Sequence, residues 1–426
     1  MRIGRSMAIA VGAILLLAGC ASRRDDRLTL EFWTIGREGE AVTKLLPQFE
    51  SEHPDIRVVV QQIPLKAAHQ KLLTAYAGGS MPDITQLGNT WIPELAALHA
   101  LEPLQQRVDR SQDIRESDYF QNIWATNRID GVLYGIPWYV DTRLLFYRVD
   151  LLRQAGFDAP PQDWAQWQRQ MDAIRAKSGG KRRGVLLPTN EYEQLQSLAL
   201  QQPDPMLRDG GRYGNFESAG FKRALVFYVG LFKRGDAPPL TNVQVSNPWD
   251  EFGRGAFVFY LSGPWNIGEF RKRLPATQQA DWSTAPLPGP SGPGASNAGG
   301  SSLVILRSSQ HKDAAWKLIE FLSRPTMQRR FYELLGDLPP RRSAWDNKVL
   351  KDDPKLHAFR EQLERVKPTP LVPEWEQIAT EMQQIAARAI AGQLTVDQAA
   401  AQIDARTDVI LAKRRWVMER QGDPGQ

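Results

Sequence analysis

Across residues 28–98 the apolar pattern alternates between strand spacing and helix spacing, and that alternation restricts the fold more than any single motif. Leu28-Thr29-Leu30-Glu31-Phe32-Trp33 has strand character and stops at Gly36 and Gly39, after which Val42, Leu45, Leu46 and Phe49 recur at helical spacing. The β-branched run at 56–60 predicts a second strand. Leu65, His69, Leu72, Leu73 and Tyr76 form a second helical stripe, ended by Gly78-Gly79. Pro82-Asp83-Ile84-Thr85 opens a third strand, with Asp83 as a local backbone acceptor, and residues 91–98 form a third helix. Strands joined through helices by short turns predict an α/β fold with a mainly parallel sheet.

The second half repeats the pattern. Asp163 is placed to cap a helix carrying Trp164, Trp167, Met171 and Ile174, and Phe221, Ala224, Leu225, Tyr228, Val229 and Phe232 line one face of a helix beginning near Ser218. Val185-Leu186-Leu187, residues 256–261 and Leu303-Val304-Ile305-Leu306 are strands. Residues 286–300, rich in Pro, Gly, Ser and Asn, are expected to be loop. Helices follow around Ala315, Leu318, Ile319 and Leu322, over 378–390, and from Val396 to the tail at 422–426, which is expected to be disordered.

Arg2 and Arg5 precede an apolar run at 8–18, and Leu17-Ala18-Gly19-Cys20 closes it. This is the layout of a secretory signal peptide, and its end looks like a bacterial lipobox, in which Cys20 is acylated and becomes the first mature residue. The run is too short for a membrane helix, which needs about 20 apolar residues. Cys20 is the only cysteine, so no intrachain disulfide, cysteine nucleophile or cysteine-based zinc site can form.

About 400 residues remain, enough for two ordinary domains. The chain carries 53 basic and 48 acidic residues, interspersed, and its longest basic runs are Lys181-Arg182-Arg183 and Lys413-Arg414-Arg415. No clustered basic face marks a nucleic-acid partner. His53, His69, His99, His311 and His357 are scattered, without metal-ligand spacing, and no phosphate-binding loop, nucleophile elbow or dinucleotide fingerprint is present. Neither a metal nor a cofactor is expected.

Trp91, Trp138, Trp249, Trp265, Trp345 and Trp375 stand among Asn, Pro, Asp or Gly, where helix or strand periodicity does not ask for them. An indole face matches the C–H face of a pyranose, and carboxylates and Arg match its hydroxyl rim. Trp265 follows a strand end, where open α/β sheets bind ligands. Arg37, Glu38 and Glu40 lie in the turn after the first strand, and Asn89 after the third. Tyr139 and Asp141 follow Tyr134-Gly135-Ile136-Pro137-Trp138. Glu38 and Glu40 equally suit a helix N-terminus, where carboxylates are favoured.

Several motifs, in order and spacing, carry a resemblance: Gly78-Gly79-Ser80-Met81-Pro82-Asp83-Ile84; Tyr134-Gly135-Ile136-Pro137 with Asp141-Thr142 and Leu145-Phe146-Tyr147; Gly263-Pro264-Trp265; Pro286-Leu287-Pro288-Gly289-Pro290; Ala298-Gly299-Gly300; His311-Lys312-Asp313-Ala314-Ala315-Trp316; and Leu338-Pro339-Pro340-Arg341. Over nearly the whole mature chain it resembles the solute-binding lipoproteins of bacterial ABC sugar importers, the maltose-binding-protein-like group. The resemblance implies a type II periplasmic-binding-protein fold, with two α/β lobes joined by crossing strands. Residues 1–19 would be the signal peptide, 20–27 the tether, 28–140 with 300–345 the first lobe, and 141–299 with 346–421 the second. It implies a monomeric, non-enzymatic receptor outside the cytoplasm. That receptor would be anchored to a lipid membrane through Cys20, and would capture an oligosaccharide such as maltose or trehalose for membrane permease subunits. The resemblance implies ligand contacts at Asn89, Trp91, Asp141, Trp265, Gly299, Gly300 and Arg341, and matches the turn of Arg37, Glu38 and Glu40 in place; the reading of the residues themselves adds Tyr139, Trp249 and Trp375 as candidates. The alternative is a surface glycoside hydrolase, which would need two carboxyl groups about 5–9.5 Å apart; Glu38, Asp141 and Glu374 are the conceivable pair members.

Overall fold

The computed structural model describes residues 27–245 and 247–421. Cys20, the leader and the tail at 422–426 lie outside the described residues. Two sheets organise the chain. Their strands are β1 (Leu28–Ile35), β2 (Ile56–Ile63), β3 (Ile84–Gly88), β4 (Ile136–Asp141) and β5 (Leu144–Arg148). They continue with β6 (Arg183–Leu186), β7 (Phe257–Ser262), β8 (Trp282–Ala285) and β9 (Gly299–Ile305).

The first sheet has the order β2-β1-β3-β9-β4, and the second β8-β5-β7-β6. In the first, β1 runs parallel to β2 and β3, while β9 is antiparallel to β3 and β4. In the second, β7 is parallel to β6, while β5 is antiparallel to β7 and β8. Each sheet thus has a single reversed strand, β9 in one and β5 in the other. Helices between strands cover the sheet faces, giving the two-lobed α/β periplasmic-binding-protein architecture with crossing strands.

The crossings position the cleft. Only Thr142 and Arg143 separate β4 in the first sheet from β5 in the second. The chain returns from β8 through Ser296–Asn297, which pairs with Val366–Lys367, into β9. A third passage runs by Leu338, bridged to Val140, and Arg341, bridged to Tyr119. Apolar burial follows the same plan. Phe32, Phe49, Trp138 and Phe321 belong to a first-lobe core, and Trp167, Phe221, Tyr228 and Met382 to a second-lobe core. Phe120, Val140 and Leu338 join Phe146, Trp282 and Phe359 beneath the crossings.

Local signals behave as their chemistry requires. Asp163 accepts from the Gln166 backbone N–H at 2.7 Å and Ser218 from that of Phe221 at 3.3 Å, each satisfying a donor that a helix start leaves unpaired. Asp83 is structural, but its partner is not local backbone: it accepts from the Glu31 N–H, 52 residues away, at 2.9 Å and so ties β1 to the entry of β3. Two further expectations are corrected. The stripe from Val42 to Phe49 forms two short helices, Glu38–Thr43 and Leu46–Glu52. Residues 286–300 are not all loop: Ser296–Asn297 pairs as strand and β9 begins at Gly299. The small residues there reflect strand crowding. A Cβ on Gly300, whose φ is +127°, would lie 2.3 Å from the Tyr139 carbonyl oxygen, and one on Gly299 2.5 Å from that of Asp141.

Candidate functional site

Where the lobes meet, a cavity of about 130 Å³ is lined from three directions. The first lobe contributes Gly88 at the end of β3 and Asn89 and Thr90 after it; the second contributes Tyr192, Glu193, Gln196 and Thr369. The crossings contribute Asp141, Arg143, Asn297, Ala298, Gly299 and Gly300. The carboxyl ends of β3 and β4 open into it, which is where sheets of this kind present their ligand groups.

Arg143 organises the second-lobe side. Its Nη1 donates to Asp141 Oδ1 at 2.6 Å and its Nη2 to Glu193 Oε1 at 3.3 Å. The guanidinium side chain is only 9% exposed, whereas the carboxylates retain 29% and 26%, so the cation is locked and the anions still face the opening. Burial opposes the Arg143 charge, but the Asp141 and Glu193 carboxylates outweigh it and raise the pKa above its ordinary value. Burial pushes the Glu193 carboxyl up, and the Arg143 charge counters it.

The guanidinium carbon also lies 4.7 Å from the centroid of the Trp265 ring, a cation–π arrangement that fixes the indole. Trp265 starts the helix Trp265–Arg273 directly beyond β7, and it remains 38% exposed. Its ring folds back over Gly263, where a Cβ would stand 1.9 Å from the indole Cζ3. Gly-Pro-Trp is therefore a steric unit, with the glycine making room for the ring.

On the first-lobe side, next to the residues that line the cavity, uncharged donors gather around one carboxylate. Tyr139 OH donates to Glu38 Oε1 at 2.8 Å and accepts from Gln86 Nε2 at 3.1 Å and Ser301 Oγ at 3.0 Å. The Gln86 Oε1 accepts from the Ile35 N–H at 2.9 Å, anchoring this network to β1. Burial raises the Glu38 pKa, while the Tyr139 hydroxyl opposes the rise. Asp337, on the third passage, is pushed up to about 8 by burial and then by the charges of Glu38 and Asp141. Asn89 is buried, donating to the Ala298 carbonyl and accepting from Ser302 Oγ, each at 3.3 Å.

The remaining sequence candidates are placed elsewhere. Arg37 and Glu40 are exposed on the rim of the β1 turn. Trp91 packs beside the His69 ring at 5.2 Å and against Gly88, behind the cavity wall. Trp249 spends its indole N–H on Asn266 Oδ1 at 2.8 Å, with Arg273 stacked 4.3 Å from its ring. Two expectations of a ligand-facing side chain do not match their surroundings. Arg341 is buried against Asp118 at 2.7 Å and the Asp113 and Ser323 carbonyls at 2.8 Å, so its donors fasten the third passage to the first lobe. Trp375 is 0% exposed within the second-lobe core, on the same helical stripe as Ile378, Ala379 and Met382.

Arg143, Glu193, Tyr192 and Gln196 were not among the sequence candidates. Arg143 had a signal, being a cation two residues after Asp141 and directly before the apolar run Leu144-Leu145-Phe146. Glu193 and Tyr192 stand at the start of the helix Glu193–Leu200 that follows β6, the strand-end position that pointed to Trp265.

Comparison with known proteins shows the family and the fold. The family profile described as bacterial extracellular solute-binding protein matches residues 33–329. The sugar-binding protein MalE of the phytopathogen Xanthomonas citri is 54% identical, with 92% of this chain and all of that chain covered, at a TM-score of 0.90. A mannitol-binding protein of Pseudomonas aeruginosa is 26% identical over 84% of this chain and 87% of its own. An uncharacterized lipoprotein in the oleD 5' region of Streptomyces antibioticus is 27% identical over 89% of this chain and 87% of its own. By family and by fold, the chain belongs to the bacterial extracellular solute-binding proteins of the MalE-like kind, which bind a solute and are not enzymes.

Proposed function

We propose that this protein is the capture component of a sugar ABC importer, holding a disaccharide such as maltose or trehalose between its lobes and delivering it to a membrane permease. The observation that carries the reading is that Arg143 fixes Asp141 and Glu193 at the interlobe cavity and also holds the half-exposed indole of Trp265 beside them. Indole and carboxylates together suit a ring with one C–H face and a hydroxyl edge. Asn89, Glu38, Gly299 and Gly300 complete the proposed contacts from the first lobe and the crossing. The sugar-binding MalE of Xanthomonas citri supports the ligand class.

The cavity of about 130 Å³ is smaller than pockets that enclose a drug-sized ligand, roughly 300–1,000 Å³. Admitting a disaccharide therefore requires the lobes to part, as hinge closure in periplasmic binding proteins provides. The moving bodies are residues 28–140 with 300–345, and 141–299 with 346–421. A monomer suffices, because both walls come from one chain.

The test is thermal melting and calorimetry against maltose, trehalose and mannitol. A ligand at 100 times its Kd adds about 2.7 kcal/mol of stability. Stabilisation by mannitol alone, or release of reducing ends from a bound disaccharide, overturns the reading. Cys20 supplies the proposed membrane tether, which the Streptomyces antibioticus lipoprotein supports. Among the described residues no helix is long and apolar enough to cross a membrane. Cys20→Ser should move the protein out of the membrane fraction with its melting temperature unchanged, and unaltered fractionation rejects the anchor.

A further inference from the structure

Glu376 lies in the first turn of the second-lobe helix Trp375–Ile390 and is not among the ligand contacts proposed above. Its carboxylate nonetheless joins both walls of the cleft. Tyr192 OH, on the second lobe, donates to Oε2 at 3.0 Å. Thr90 Oγ1, on the first-lobe turn after β3, donates to Oε1. Thr90 and Tyr192 both line the cavity, so the carboxylate spans the opening itself, on a route separate from the strand crossings. A motion that parts the lobes must break the Thr90 bond, while the Tyr192 bond, internal to one lobe, survives and keeps the carboxylate aimed.

We propose that Glu376 is a closure latch: with Tyr192 orienting it, it grips Thr90 and so holds the lobes shut around the solute without contacting the solute. The proposal rests on the capture reading above and adds a residue to it that acts through closure. Because the latch exists only when the lobes meet, it slows release and leaves encounter with the open cleft unchanged. The competing role, a carboxylate serving only the positive end of its own helix, would not depend on Thr90.

The experiment compares the parent protein with Thr90→Val, Glu376→Gln and the double variant, using stopped-flow tryptophan fluorescence with maltose and with trehalose. Each single substitution should speed dissociation about 3- to 10-fold, while association stays level or quickens, because losing the latch also enlarges the open fraction of the empty protein. The double variant should lose no more than either single, the signature of one shared interaction. The factor should be equal for each sugar that binds. Unchanged dissociation, additive losses or a loss confined to one sugar overturns the latch. If the parent binds neither sugar, the ligand assignment fails, and the latch is then read by small-angle scattering of the protein alone. Both single variants should show a larger radius of gyration than the parent, and an equal radius rejects the latch.

Discussion

The two walls of the cleft hold their polar side chains by different means. On the first lobe, Tyr139, Gln86 and Ser301 share neutral hydrogen bonds around the single carboxylate of Glu38. On the second, one buried cation is fixed between Asp141 and Glu193 and stacked on an indole. In the neutral wall each group already spends its donor on a neighbour, so it shapes the cleft more than it binds. In the charged wall the cation is consumed while carboxylate edges and an indole face stay accessible. Binding energy should therefore concentrate on the second wall and the crossing, and loss of the first wall should show mainly in stability.

The sharpest way to break that comparison is Trp265→Ala. If the indole is the anchor of the second wall, affinity for the bound sugar should fall by roughly 2–4 kcal/mol, the range for a central aromatic contact. Melting without ligand should change little, because the ring is 38% exposed. Unchanged affinity by calorimetry would move the binding energy to the other wall.

Asp141→Asn comes next, with an expected loss of about 10- to 100-fold in affinity, since a charge-assisted acceptor contributes about 1.5–3 kcal/mol. Arg143 keeps Glu193 as a partner in this variant, so the fold should persist. A fall in melting temperature with normal affinity would make Asp141 purely a partner for Arg143.

These contrasts also show what the sequence made legible. The succession of strands and helices along the chain, the cap at Asp163, and the Asp141 and Trp265 positions follow from local pattern and motif, whereas the order of strands within each sheet does not. Arg341 and Trp375 could not be judged from motif alone, because a side chain that faces a cleft and one that fastens a passage share the same neighbours in sequence. Trp375 was recoverable in principle: it lies three and four residues before Ile378 and Ala379, so it extends their apolar stripe by one turn. The start of β9 was hidden because the close approach of β4 demands glycine, and glycine reads as loop. The link from Thr90 to Glu376 joins residues 286 apart and has no local signal at all.

Asp337 sharpens the comparison through pH. Its carboxyl is raised from 3.8 to about 8 by burial and then by Glu38 and Asp141, so the folded chain holds a proton that the unfolded chain releases. The stability this confers is complete below about pH 4 and is lost as pH rises through about 8. Asp337→Asn keeps the shape and removes the titration. Its melting advantage over the parent should grow steadily from pH 5 to pH 8.5. A constant difference would show that Asp337 ionises freely.

Tyr139→Phe should have the smallest effect, and it tests the neutral wall directly. The phenol donates to Glu38 and accepts from Gln86 and Ser301. Removing it leaves the Glu38 carboxylate short of a donor, while Gln86 and Ser301 still bond each other at 3.2 Å. Partial compensation limits the cost to about 1 kcal/mol, at the low end for an orphaned buried group. The ring itself stays packed, 6.2 Å from that of Phe331. Glu38 should also become easier to protonate, because the hydroxyl that opposes the rise in its pKa is gone. Affinity for the sugar should stay within about threefold, since the hydroxyl is committed to protein partners. Chemical denaturation and calorimetry on the same sample separate the outcomes. A drop in stability with near-normal affinity assigns the first wall to shaping the cleft. Tenfold weaker binding at unchanged stability would instead make Tyr139 a ligand contact, and the two walls would then bind by the same means.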